Sequence, residues 1–238
     1  MKNILIINPN TTVSVSALLQ QHGQAIALAQ AQVHVITARF GAPYISCEAS
    51  YAIAGHAALD AWAHALASDG ARPDAVLVGC FGDPGLFALR EASSVPVTGL
   101  AEAALTQAAR HGRFAIVTGG ERWKPMLERL AQSLGFSDTL GGILTVAPTG
   151  AQLAQDRVAA QATLADACQQ AAKQFNAQAI VLGGAGLAGM AAHIAPLVSV
   201  PVIDSVSAGV RQAMLLAANA PGQSMGRLEE ITPWLGMH

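Results

Sequence analysis

Charge is scarce in this sequence. Asp, Glu, Lys and Arg make up 12% of 238 residues, the formal net charge is -2, and like charges form no run. That leaves no basic footprint for nucleic acid and no polybasic patch for a membrane surface, so the expected partner is a small molecule. Cysteine is scarcer still. Cys47, Cys80 and Cys168 cannot all pair within one chain, and their spacing fits no zinc or C-x-x-C motif, so reduced thiols and a cytoplasmic setting are expected. The apolar run Ile4-Leu5-Ile6-Ile7 stops at Asn8-Pro9-Asn10, too short for a signal peptide. No Walker lysine and no G-x-G-x-x-G follow the first strand, and no His-x-x-His or carboxylate pair offers metal ligands. Neither cofactor nor metal is expected.

Residues 174–203 contain no Asp, Glu, Lys or Arg. A membrane span needs about 20 apolar residues in one helix, and here the glycine run at 183–186, His193, Pro196 and Pro201 interrupt it. The stretch reads instead as buried strand, loop, helix and strand.

What the chain does have is apolar bulk, 52% of its residues. The runs Ile4–Ile7, Val33–Thr37, Ala75–Val78 and Pro96–Gly99 lack polar alternation, as strands covered on both faces do. Ala-rich stretches of helical length, Ser14–Ala29, Tyr51–Ser68 and Pro84–Ala92, separate them. The second half repeats the pattern with strands at Phe114–Thr118, Gly142–Val146, Ala179–Leu182 and Pro201–Asp204, and helices at Glu121–Leu134 and Gln152–Phe175. The expectation is an α/β protein of two pseudo-symmetric lobes, each a mainly parallel sheet flanked by helices, with the active site in the cleft between them. The first lobe is expected at 1–98 plus about 206–238, with a last helix at Ser207–Ala218, and the second at 99–205. An Ala-rich surface of low charge points to a homo-oligomer.

The two halves carry one strand and loop in two chemical versions. Asp74 to Asp83 is echoed by Ala179 to Gly186, and each copy leads to the tetrapeptide Ser-Val-Pro-Val, at Ser94–Val97 and Ser199–Val202. Cys80 and Gly184 are therefore equivalent positions. Ligands of parallel sheets collect at the carboxyl ends of strands, where loops offer unpaired N–H groups. Four loops lie there: 8–12, 80–83, 118–122 and 184–186.

Cys80 leaves a buried strand and precedes a turn that opens a helix, so a thiolate stabilised by the helix end, acting as a base, is expected; the plain alternative is a buried structural thiol. Cys168, within a helix, and Cys47, in a turn-rich loop, are read as structural. Asn8, Asn10 and Thr11 are either helix-capping residues or donors to a carboxylate or imide oxygen. Thr118 and Gly119 are their counterparts, with Arg122 an anion partner or a solvated charge. Phe81, Gly82, Ala185 and Gly186 complete the expected substrate contacts. His56, Trp62, His64 and His193 are read as surface or packing residues.

At Ile7-Asn8-Pro9-Asn10-Thr11, Cys80-Phe81-Gly82-Asp83-Pro84-Gly85-Leu86, Ala88-x-Arg90-Glu91, Pro96-Val97-x-Gly99-x-Ala101-Glu102-Ala103-Ala104 and Pro201-Val202-Ile203-Asp204, the chain resembles the hydantoin and allantoin racemases of the aspartate/glutamate racemase superfamily, from residue 4 to about 216. The resemblance implies two pseudo-symmetric α/β lobes, no cofactor, and proton abstraction next to a carbonyl by two cysteines. Cys80 matches one of them. The other falls at Gly184, where the family has cysteine and this chain does not.

Inversion by deprotonation needs a base on one face and an acid on the other. Glycine supplies neither, so Cys80 is expected to work alone, with loop N–H groups holding an enolate or carboxylate oxygen. A cysteine placed at 184 is expected to restore inversion. Three readings stand: a racemase of hydantoin- or allantoin-like ring amides or of amino acids; a one-cysteine decarboxylase or isomerase resembling arylmalonate decarboxylase; and a non-catalytic small-molecule binding protein.

Overall fold

The structure is a computed structural model that describes residues 1–68, 72–147 and 156–220, with Arg157 and Ala159 described by backbone alone. It divides into two compact units, one of residues 1–99 with the chain from Val210 onward, the other Leu100–Gly209.

The first unit holds β1 (Lys2–Asn8), α1 (Val13–Ala27), β2 (Ala31–Thr37), α2 (Glu48–Ala67), β3 (Ala75–Val78), α3 (Leu86–Ala92) and β4 (Val97–Gly99). Its four strands are parallel in the order β2-β1-β3-β4. Ile4, Ile6 and Ile7 of β1 and all of β3 are fully buried, which is why these strands read as unbroken apolar runs.

The second unit repeats this arrangement. After α4 (Leu100–Ala109) come β5 (Phe114–Gly119), α5 (Trp123–Ser133), β6 (Leu140–Val146), α6 (Arg157–Gln174), β7 (Ala179–Gly183), the short α7 (Met190–Ile194), β8 (Val202–Asp204) and α8 (Ser205–Asn219). The order β6-β5-β7-β8 is again parallel and matches the first sheet strand for strand. The α/β class and the internal repeat read from the sequence are therefore present. α8 starts in the second unit, and its Val210 lies 3.6 Å from the place a Cβ on Gly23 of α1 would take. The start of the expected helix at 152 and the chain from 221 to 238 lie outside the described residues.

No described helix is long and apolar enough to cross a membrane. Residues 174–203 run through the end of α6, β7, α7 and the approach to β8, not through one helix.

Candidate active site

Close packing delivers Cys80 to the carboxyl end of β3. A Cβ on Gly79 would lie 2.9 Å from the Ile6 side chain and 3.0 Å from the Ile7 carbonyl oxygen, so the strand carries hydrogen there and approaches β1 closely. Gly79 donates its N–H to the Ile7 oxygen at 2.7 Å, the last tie before the chain turns away. The turn closes through Asp83 N–H to the Cys80 oxygen (3.0 Å), and Tyr51 on α2 donates its hydroxyl to the Gly82 oxygen (2.7 Å). Cys80 and Phe81 are buried, and the N–H groups of Phe81 and Gly82 donate to none of the described residues.

The helix that follows begins only at Leu86, with Gly85 as its N-cap, and has seven residues. This corrects the expected thiolate. Burial pushes the Cys80 thiol well above its ordinary value, and the negative charge of Asp83 pushes it the same way.

At the end of β1, Asn8 is fully buried and fully used. Its Nδ2 donates to Asn10 Oδ1 (3.1 Å), the Thr12 oxygen (3.2 Å) and Ser16 Oγ (2.9 Å), while its Oδ1 accepts the Asn10 N–H (3.2 Å). Asn8 therefore organises the loop and has no donor left for a ligand, a correction to its expected role. Asn10 differs. Its Oδ1 also accepts the Thr12 N–H (2.9 Å), but its Nδ2 donates to none of the described residues, and neither does the Thr11 hydroxyl. Thr12, the N-cap of α1, makes no side-chain cap; its hydroxyl donates instead to the Pro43 oxygen (2.7 Å).

In the second unit, Thr118 is buried and donates its hydroxyl to the Gly183 oxygen (2.8 Å), so it too is spent as a donor. Gly119 is buried at the end of β5, and Arg122 is exposed at the start of α5. Gly184 has φ +145° and ψ +127°, and its N–H meets Ser205 Oγ at 3.3 Å. Its carbonyl accepts the Leu187 N–H (3.0 Å), and the N–H groups of Ala185 and Gly186 donate to none of the described residues. A Cβ at 184 would have room, 3.4 Å from Leu187 Cγ, but at that φ an L-residue is strained.

Cys47 is the N-cap of α2, sharing a capping box with Ser50, and Cys168 is buried in the second core, its thiol pushed up by burial to about 12. His56, His64 and His193 are exposed, with the Phe40 ring edge-on to His56, and Trp62 is buried. The described residues contain no group of three or more metal-ligating side chains. Asp83 was the residue that sequence reasoning passed over. It stands three places from Cys80 before a proline, and it is a buried carboxylate beside a buried thiol.

Residues 4–213 match the Asp/Glu/hydantoin racemase family. A hydantoin racemase from Paenarthrobacter aurescens is 32% identical over 90% of this chain and 91% of its own length. The solved allantoin racemase from Klebsiella pneumoniae superposes with a TM-score of 0.86 at 32% identity, covering 94% of this chain and 91% of that one. A glycine-to-cysteine mutant of arylmalonate decarboxylase, in a sulfate-associated form, shares the fold at 23% identity and a TM-score of 0.64, over 96% of this chain and 99% of its own.

Proposed function

The chain belongs to the Asp/Glu/hydantoin racemase family, and we propose that it moves a proton at a carbon next to a carbonyl in hydantoin- or allantoin-like ring amides or in amino acids, without a cofactor. The observation that carries this reading is Cys80. It stands at the end of a central strand, in the family's motif, among unspent donors: the N–H groups of Phe81 and Gly82, Asn10 Nδ2 and the Thr11 hydroxyl. Removing a proton next to a carbonyl leaves negative charge on the oxygen, and N–H donors that need no reorganisation are what lower that barrier.

Cys80 supplies the acid and base, and its counterpart Gly184 supplies neither. With one thiol, the proton it removes is the proton it or its solvent-exchanged form returns, so the carbon exchanges hydrogen and keeps its configuration. We expect a small-molecule substrate, no nucleic-acid or membrane partner, a cytoplasmic setting and a homo-oligomer. Cys80 with glycine at the matching place 184 favours one other reading: a lyase in which carbon dioxide leaves first and the thiol protonates the enolate left behind.

The test is solvent-deuterium exchange over enantiopure hydantoins, allantoin and amino acids, with substituted malonates assayed for carbon dioxide. Exchange into one enantiomer without inversion supports the first reading. Carbon dioxide release with no exchange at any intact carbon acid replaces it with the second, and tight binding unaffected by Cys80→Ala, with neither reaction, replaces both with a binding protein.

A further inference from the structure

We propose that Tyr51 is a positioning residue for the Cys80 turn: its hydroxyl, donated to the Gly82 carbonyl oxygen, holds residues 80–83 in the conformation that presents the thiol and the Phe81 and Gly82 N–H groups together. Gly82 sits at φ +123°, a conformation open to glycine and to few other residues. Its peptide to Asp83 is held from two sides: the Asp83 N–H donates to the Cys80 oxygen (3.0 Å), and the Gly82 oxygen accepts the Tyr51 hydroxyl (2.7 Å). The first bond lies within the turn. The second ties the turn to another element, α2.

The first turn of α2 is itself fixed. Ser50 Oγ accepts the N–H groups of Ser46 (3.0 Å) and Cys47 (3.1 Å) and donates to the Cys47 oxygen (2.9 Å), and the Tyr51 N–H donates to that same oxygen (2.9 Å). Four residues on and on the same face of the helix, Gly55 meets the chain just past the turn. A Cβ on Gly55 would lie 3.3 Å from the Gly85 nitrogen, and one on Gly85 would lie 2.9 Å from the Gly55 oxygen. Glycine inside a helix is destabilising relative to Ala, and here it permits that approach. The Asp83 carboxyl group meanwhile fills the place that a Cβ on Gly99 of β4 would take. α2 therefore grips the segment at 82 with a hydroxyl and at 85 by close packing. Donors aimed at a developing oxyanion act only when set in advance, and a shift of about 1 Å can cost about 10²-fold in rate.

The proposal rests on Cys80 as the acid/base, yet one arm of its test needs no substrate. Tyr51→Phe keeps the ring and removes the hydroxyl. Amide hydrogen exchange at Asp83, followed by NMR, should quicken about three- to tenfold, the opening that one lost neutral hydrogen bond allows, with the amides of β5 unchanged. On a substrate that the parent exchanges, kcat for deuterium incorporation should fall about tenfold or more while KM stays within about twofold, as for an interaction realised only in the transition state. Gly55→Ala favours the helix but presses on Gly85, and should move the Asp83 amide and kcat the same way. An Asp83 amide as slow in Tyr51→Phe as in the parent overturns the proposal, and so does a loosened turn with parental kcat. A raised KM at parental kcat overturns it as well, since Tyr51 would then be a substrate contact. Should Tyr51→Phe also quicken the β5 amides, Gly55→Ala decides: parental kcat beside a quickened Asp83 amide sinks the idea. A parent that exchanges no substrate removes the reading of Cys80 and leaves the Asp83 amide to decide whether Tyr51 holds the turn.

Discussion

Gly184 sits at φ +145°, where a hydrogen side chain costs nothing and a Cβ costs about 1–3 kcal/mol of backbone strain. Cys80, its counterpart, is not among the residues of positive φ, so equivalence in the repeat does not extend to the backbone. Gly184→Cys is therefore expected to lower the stability of the folded chain by about that 1–3 kcal/mol in urea titration, while polarimetry on the variant tests the expectation that a cysteine at 184 restores inversion. A fully stable variant that inverts a hydantoin would mean that the 183–187 loop takes a cysteine without strain. At Cys80 the expectation is direct: Cys80→Ala and Cys80→Ser both lose proton exchange by about 10²–10⁴-fold, the worth of one positioned acid or base. Deuterium incorporation followed by NMR measures it, and parental exchange in either variant removes Cys80 from the chemistry.

At the scale of elements, β3 and the turn after it depend on hydrogen at position 79. Gly79→Ala should cost about 1–3 kcal/mol, the usual range for overpacking, because the new methyl meets the Ile6 side chain and the Ile7 oxygen. Urea denaturation reads the loss, and a variant as stable as the parent would show that β1 and β3 part freely. The strands were legible because parallel strands buried on both faces write themselves as apolar runs, as Ile4 to Ile7 and Ala75 to Val78 do. α4 was not. It starts at Leu100 directly after Gly99 of β4, with no turn residue between, and Leu100, Ala101, Ala103, Ala104 and Leu105 are all buried, so the apolar period that marks a helix is blurred. Cys80 and its loop were legible from position and motif. The spent state of Asn8 and Thr118 was not, because their partners, Ser16 and Gly183, follow from pairing geometry rather than from residue type. Asp83 went unread for the same reason: its seat is Gly99, on another strand.

Across the whole molecule, two sheets of the same order carry unlike chemistry, the Cys80 thiol after β3 in the first unit and Gly184 at the matching place after β7 in the second. That asymmetry gives the pH dependence a definite sign. Burial and then Asp83 raise the thiol's pKa, so the neutral form is complete throughout the neutral range and the thiolate grows about tenfold with each pH unit below that pKa. If Cys80 begins as a base, kcat/KM for deuterium exchange, which reports groups of the free chain, should climb about tenfold per unit between about pH 6 and about pH 9 without levelling. If Cys80 begins as an acid, protonating an enolate that bond cleavage has already made, the donor is fully present across the same range and the profile should be flat. The two slopes separate proton exchange from lyase chemistry on one scaffold, and neither needs the substrate to be the optimal one. A profile that levels near neutral pH would contradict both expectations. It would mean that the working thiol is far more acidic than its burial allows.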